Sequence, residues 1–207
     1  MRMLAIETAT EACSVALFDG TEQIGTCHEV LGRGHAERLV PMIAALPDKG
    51  RAEQIRVSLG PGSFTGTRIG IAAARALGIA WQAQVVGFHT LQLVALQIAH
   101  SRDHSCQTSD ILVCMNGGHG EWYVQPFDAD CTPLGDAASM LPDHAVAAFG
   151  QQHVIGSRAR EFVALRGSGE AVHALPDASF ARFLDAGRLL AAVSPIYGRA
   201  PDARKPE

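Results

Sequence analysis

The stretch "SLGPGSFTGTRIGIAAARALG", residues 58–78, decides the fold. It joins the end of an apolar strand, "QIRVSL" (54–59), to an Ala-rich segment through a turn of Gly, Pro, Ser and Thr. Pro61-Gly62 makes the turn, and Ser63 or Thr65 stands where a helix N-cap accepts from a free backbone N–H. The spacing predicts a helix over 67–83. Ile69, Ala72, Ala73, Ala76, Leu77 and Ala80 form a broad face of small side chains on it, which lets another helix approach closely. The turn fails as a P-loop: Gly60 and Gly66 are too widely spaced, and Thr67-Arg68 stands where Lys-Ser/Thr is needed.

Upstream, "MLAIE" (3–7), "ACSVALF" (12–18) and "QIGTCHEV" (23–30) read as three antiparallel strands, the last two joined at the hairpin signal Asp19-Gly20. Leu39, Met42, Ile43 and Leu46 fall at helical spacing within 36–46, with Pro41 inside that helix. Downstream come a short buried strand, "VVGF" (85–88), and a helix, "TLQLVALQIA" (90–99). Residues 1–100 therefore spell βββαβαβα, a meander followed by strands that add in parallel through helical crossovers. The polar run "SRDHSCQTSD" (101–110) is the expected linker. After it, strands at 111–115 and 121–128, a helix near 137–149, a strand at 153–156 and a helix near 179–192 make a shortened copy of the first half over 111–195. The tail 196–207 has no apolar periodicity and is expected to be disordered.

The bulk numbers narrow the function classes. The chain has 207 residues, of which 47% are hydrophobic and 18% charged, enough apolar side chain for a real core. A net charge of −4 argues against a protein that coats nucleic acid by itself. No apolar run reaches membrane-spanning length, and the start, "MRMLAIETAT", lacks a signal-peptide core, so a cytoplasmic protein is expected. The five cysteines are odd in number and contain no CxxC pair, which argues against a disulfide framework or a Cys-rich zinc site.

The element order resembles the duplicated lobe of the actin-like ATPase superfamily. The blocks "AIETATEACSVAL" (5–17), "GHAERLVPMI" (34–43), "GPGSFTGTRIGIAAARAL" (60–77), "VVGFHTLQLVA" (85–95) and "SPIYGRAPDA" (194–203) are similar to the TsaB (YeaZ) family of tRNA threonylcarbamoyladenosine biosynthesis. The resemblance implies an α/β, actin-like (RNase H-like) fold of two lobes, each a mixed sheet with helices, the second lobe shortened. It implies a non-catalytic subunit that pairs with the transferase TsaD through helices, helps recruit the ATPase TsaE, meets tRNA only through that complex, and forms a homodimer when alone. No cofactor is expected on this chain; ATP and metal belong to the partner subunits.

TsaD-like proteins bind metal through two histidines four apart; Thr90 and Val94 stand at the matching positions here, beside a lone His89, so no metal is expected. This argues against an M22-type metallopeptidase. His100, His104 and Cys106 share ligand chemistry, but they sit in a polar run with no apparent fourth ligand. Glu7, Thr8 and Thr10 are the candidates for a vestigial phosphate loop, with Ala9 where a Gly would let phosphate close to the backbone. Their counterpart, Asn116-Gly117-Gly118-His119, replaces the charged Asp-Ala-Arg-Arg turn usual in the resembling family and removes two positive charges. A stand-alone actin-like ATPase or kinase is the alternative that these residues keep open.

Ser63 lacks the nucleophile-elbow pattern, and Cys13 and Cys114 sit inside apolar strands. His35 and Glu37 are expected to cap and solvate their helix. With chemistry set aside, Leu39, Ile43, Arg68, Ile69, Ala72, Ala73 and Ala76, on the two helices, are the expected partner interface.

Overall fold

A computed structural model of the chain describes residues 1–101 and 109–198. Two five-stranded mixed sheets form its frame. The first contains β1 (Arg2–Glu7), β2 (Ala12–Asp19), β3 (Glu22–Val30), β4 (Gln54–Ser58) and β5 (Gln84–Phe88), in the order β3-β2-β1-β4-β5. β1, β2 and β3 pair antiparallel, and β4 and β5 add parallel to β1. The hairpin at Asp19-Gly20 and the crossover strands follow from the turn chemistry and the alternation of strand and helix. β1 is buried on both faces: Leu4 and Ile6 point to one core cluster, Met3 and Ala5 to another.

Helices α1 (His35–Ala44) and α2 (Phe64–Trp81) cover one face of this sheet and touch each other. Ser63 is the cap of α2, its Oγ accepting from Gly66 N–H at 3.2 Å, so the helix begins three residues before the expected start. Pro41 lies inside α1, and that helix ends at Ala44 before a 3-10 turn at Pro47–Gly50. The side of α2 that meets the sheet is Gly66, Gly70, Ala74 and Gly78, spaced four apart. A Cβ on Gly66 or Gly70 would run into the Thr8 carbonyl or hydroxyl, so glycine is what lets this helix lie against β1. The broad small-residue face read from the sequence, 69/72/73/76/77/80, divides: Ala72, Ala76 and Ala80 are exposed, and Ile69, Ala73 and Leu77 are half-buried against the core edge.

Helix α3 (Thr90–Ala99) is apolar nearly all round because it lies between the sheets. The second sheet holds β6 (Ile111–Gly118), β7 (Glu121–Phe127), β8 (Ala138–Met140), β9 (His153–Ile155) and β10 (Glu170–Val172), in the order β10-β9-β6-β7-β8. Its outer face packs on α4 (Pro142–Ala148) and α5 (Ala159–Arg166) through Trp122, Phe162, Val154 and Leu112. Two sequence expectations are corrected here. The segment 137–149 is a strand followed by a short helix, because Pro142 starts a helix and does not continue one. No α-helix covers 179–192. Two 3-10 turns, Ala178–Phe183 and Ala186–Arg188, begin at Asp177 and Asp185, whose side chains accept from the first backbone N–H groups. α5 and β10 were not anticipated.

After the second 3-10 turn the chain returns to the first sheet. Leu190, Val193 and Ile196 join its core edge, and Arg56 donates to the carbonyls of Ala181 (2.8 Å) and Leu184 (2.7 Å) on the way. Ile196, Tyr197 and Gly198, expected in a disordered tail, instead pack against Leu59, Phe64 and Tyr123. Residues 102–108 of the expected linker and 199–207 of the tail lie outside the described residues, and so do His104 and Cys106. No helix among the described residues is long and apolar enough to cross a membrane.

Candidate functional site

Two β-turns from different sheets face each other across a cleft of about 540 Å³. One is the β1–β2 turn, Thr8 to Glu11; the other is the β6–β7 turn, Asn116 to Gly120. The loop before α2 forms the floor through Gly62 and Ser63. Phe64, Arg68 and Tyr197 form a side wall.

The first turn is tied down from behind. Ala9 N–H donates to Glu7 Oε1 at 2.6 Å, and the Ala9 carbonyl accepts from Ser63 N–H at 2.6 Å. Thr8 Oγ1 donates to the Gly66 carbonyl at 2.8 Å, and Ala12 N–H donates to Thr10 Oγ1 at 3.2 Å. A Cβ on Gly62 would collide with the Ala9 carbonyl, so loop and turn are in direct backbone contact. The structure thus separates the three expected phosphate-loop residues. Thr10 lines the cleft; Glu7 and Thr8 are buried beneath it.

Glu7 is fully buried, and its Oε2 has no hydrogen-bond partner. Burial pushes its carboxyl up to about 7; the Ala9 N–H and the nearby Ser58 hydroxyl only partly oppose that. Ser58 Oγ itself lies 2.7 Å from Thr90 Oγ1. Thr90 and Val94 are both completely buried in α3, and His89 is the residue before that helix, half-buried, its pKa lowered by desolvation. Among the described residues there is no group of three His, Cys, Asp or Glu side chains placed to hold a metal ion. His100 stacks on Phe183, with ring centroids 3.6 Å apart. Burial raises the Cys13 thiol to about 11 and the Cys114 thiol to about 12, so both stay protonated and unreactive. His35 is buried, with Nε2 3.1 Å from the Ala12 carbonyl; it anchors α1 to β2 and does not solvate the helix, whose N-cap is Gly34.

The second turn is open. Asn116 N–H donates to Ser157 Oγ at 3.1 Å and Gly118 N–H to Asn116 Oδ1 at 3.3 Å; Asn116, His119 and Gly120 are exposed.

The helix residues expected at an interface divide by exposure. Leu39 and Ile43 are 1% and 4% exposed and belong to the core under the first sheet. Arg68, Ala72 and Ala76 are exposed; Ile69 and Ala73 are half-buried. With Arg75 and Ile79 they make an outward stripe on α2, and Val40 on α1 is also exposed. Phe64, Tyr197 and Ile79 escaped the sequence reading. Ile79 was visible, since it follows Ala72 and Ala76 at helical spacing.

Residues 20–194 match the family model described as TsaD: tRNA N6-adenosine threonylcarbamoyltransferase. The chain belongs to that family, and within it to TsaB (YeaZ). The tRNA threonylcarbamoyladenosine biosynthesis protein TsaB of Escherichia coli K12 is 37% identical over 136 residues, covering 63% of this chain and 56% of that protein. The chain thus spans little more than half the length of this curated relative. YeaZ from Pseudomonas aeruginosa superposes with a TM-score of 0.77 at 26% identity, over 95% of this chain and 99% of that one. An inorganic polyphosphate/ATP-glucomannokinase from an Arthrobacter strain superposes at 0.52 with 13% identity, over 88% and 97% of the two chains, and shares the fold alone. The actin-like architecture expected from the element order is the one observed.

Proposed function

We propose that this protein is a cytoplasmic, non-catalytic subunit of the machinery that makes N6-threonylcarbamoyladenosine at position 37 of tRNA, docking TsaD and helping to recruit TsaE. The observation that carries the reading is the outward stripe of α2, where small and apolar residues (Ala72, Ala76, Ile79) lie open, with Val40 exposed on the neighbouring helix α1. Ile79 is 83% exposed and Val40 63%. Two neighbouring helices with exposed apolar side chains suit a helical partner, because close approach needs small residues and burial of large ones rewards it. Family membership favours TsaD as that partner. The first turn adds support: its Ala9 N–H and C=O are already bonded within the protein, whereas a phosphate loop must offer its backbone N–H groups to the ligand.

The test is association of the purified chain with TsaD of the same organism, by size exclusion and calorimetry, with and without ATP. Ala76→Arg is expected to weaken the pair at least about tenfold by placing a charge in the interface, with an unchanged melting temperature because Ala76 is exposed. Failure to associate under any of these conditions sinks the proposal.

The cleft favours one second reading, a stand-alone nucleotide-binding ATPase or kinase, since Thr10 and the open second turn both line it. Calorimetry of the isolated chain with millimolar ATP decides: heat of binding supports that reading, and its absence ends it.

A further inference from the structure

Residues 189–198 have no regular structure beyond one bridge, Gly87 to Leu190, whose two hydrogen bonds are 2.8 Å each. Four further hydrogen bonds fasten this strap. Ile196 N–H donates to the Leu59 carbonyl at 2.7 Å, and Arg75 Nη2 donates to the Val193 carbonyl at 2.6 Å. At its end, Arg68 donates to the Tyr197 hydroxyl from Nε at 3.0 Å and from Nη2 at 2.7 Å. The Tyr197 ring stacks on Phe64 with centroids 5.5 Å apart, and the Arg68 guanidinium lies 3.5 Å over Phe64. Phe64 and Tyr197 are 57% and 44% exposed, so little buried area holds this end down.

The latch is mismatched in charge. Arg68 is a cation whose hydrogen bonds go to a neutral phenol, and among the described residues no carboxylate lies within ion-pair distance of it. An oxyanion offers the same guanidinium a charged acceptor and, with two oxygens, bidentate geometry that a single phenol oxygen cannot give. Arg68 and Tyr197 both face the cleft, where the hydroxyls of Thr10 and Ser63 are further donors. Glu11, His119 and Tyr123 are the other ionisable groups on its wall. We propose that residues 189–198 form a releasable strap, latched by Arg68 on Tyr197, and that an oxyanion entering the cleft unlatches it by taking Arg68 from the phenol. Release removes one wall of the cleft and leaves Arg68 facing the anion. The proposal does not depend on the docking reading.

Amide hydrogen exchange on the full chain tests it, with inorganic pyrophosphate as the probe and sodium chloride at equal ionic strength as the control. The amides of Leu190 and Ile196 are expected to exchange through local opening, faster than the amides of β4. Pyrophosphate should accelerate Ile196 about tenfold or more, the equivalent of losing a hydrogen bond to a charged group. Arg68→Gln should reach that accelerated rate without anion and lose the response. If Arg68→Gln also speeds exchange in β4, Tyr197→Phe replaces it, since that variant keeps the ring on Phe64 and removes only the acceptor. Exchange of Ile196 at the β4 rate, or an equal response to pyrophosphate and chloride, overturns the proposal.

Discussion

The two turns that face each other across the cleft occupy equivalent places in their sheets, yet one is clamped and the other is free. Thr8–Glu11 is held by the loop before α2: Ser63 N–H on the Ala9 carbonyl, Thr8 Oγ1 on the Gly66 carbonyl, and Gly62 against the Ala9 backbone. Beyond its own hairpin ladder with β7, Asn116–Gly120 has one bond to Ser157 and one within itself. A pair of turns that grips a ligand from both sides needs backbone N–H groups on both. Here the first has become part of the packing of α2, and only the second keeps the exposure of a binding loop.

The sharpest way to break the comparison is to place the same methyl group in each turn region. Gly62→Ala puts a Cβ into the Ala9 carbonyl, with backbone on both sides and nowhere to move. A loss of about 3 kcal/mol is expected, at the upper end for overpacking. Gly118→Ala in the second turn meets nothing within 4 Å and has only a left-handed φ of 73° to oppose it, so about 1 kcal/mol is expected. Urea titration of both variants measures the difference. Equal losses would mean that the first turn is not clamped.

Glu7 gives the clamped turn a pH signature. Its folded pKa of about 7 stands above the ordinary glutamate value of 4.5, so between those pH values the folded state holds more protons than the unfolded one. Its contribution to stability is therefore complete below pH 4.5, falls as pH rises toward 7, and is lost above 7, a change on the order of 3 kcal/mol. Glu7→Gln keeps the Oε1 acceptor for Ala9 N–H and carries no charge. The stability difference between variant and wild type is expected to grow in the variant's favour from pH 5 to pH 8, in urea titrations at each pH. A difference independent of pH would place the Glu7 titration elsewhere.

Much of this architecture was legible. The three-strand meander, the crossover order and α3 follow from alternation, the Asp19-Gly20 turn and an unbroken apolar run. The packing side of α2 is nearly silent in the sequence for a physical reason. Apolar periodicity picks out alanines and Ile69, but the close side of α2, against Thr8 and Val85, is the four-residue repeat of Gly66, Gly70, Ala74 and Gly78, and glycine carries no hydropathy signal. Leu39 and Ile43, expected at an interface, lie in the core: periodicity alone cannot separate a core face from a docking face. The 3-10 turns at 178–188 are set by Asp177 and Asp185 caps, which compete locally with the helical spacing around them. In the wall of Phe64, Arg68 and Tyr197, the tyrosine is 129 or more positions from the other two, a contact no local pattern encodes.

The smallest expected effects separate a hydrogen bond that the fold uses from one that it does not. Ser63→Ala removes the Oγ that accepts from Gly66 N–H at the start of α2 and leaves that donor in a part-buried place. A cap of this kind is worth about 1 kcal/mol. Asn116→Ala removes the Oδ1 that accepts from Gly118 N–H at 3.3 Å, but that N–H is in an exposed turn, and water replaces the lost acceptor. A change within about 0.5 kcal/mol is expected. Both side chains line the same cleft, so thermal melts of the pair test whether stability in this part of the molecule comes from one side only. A larger loss for Asn116→Ala than for Ser63→Ala would show that the second turn, and not the first, holds the cleft together.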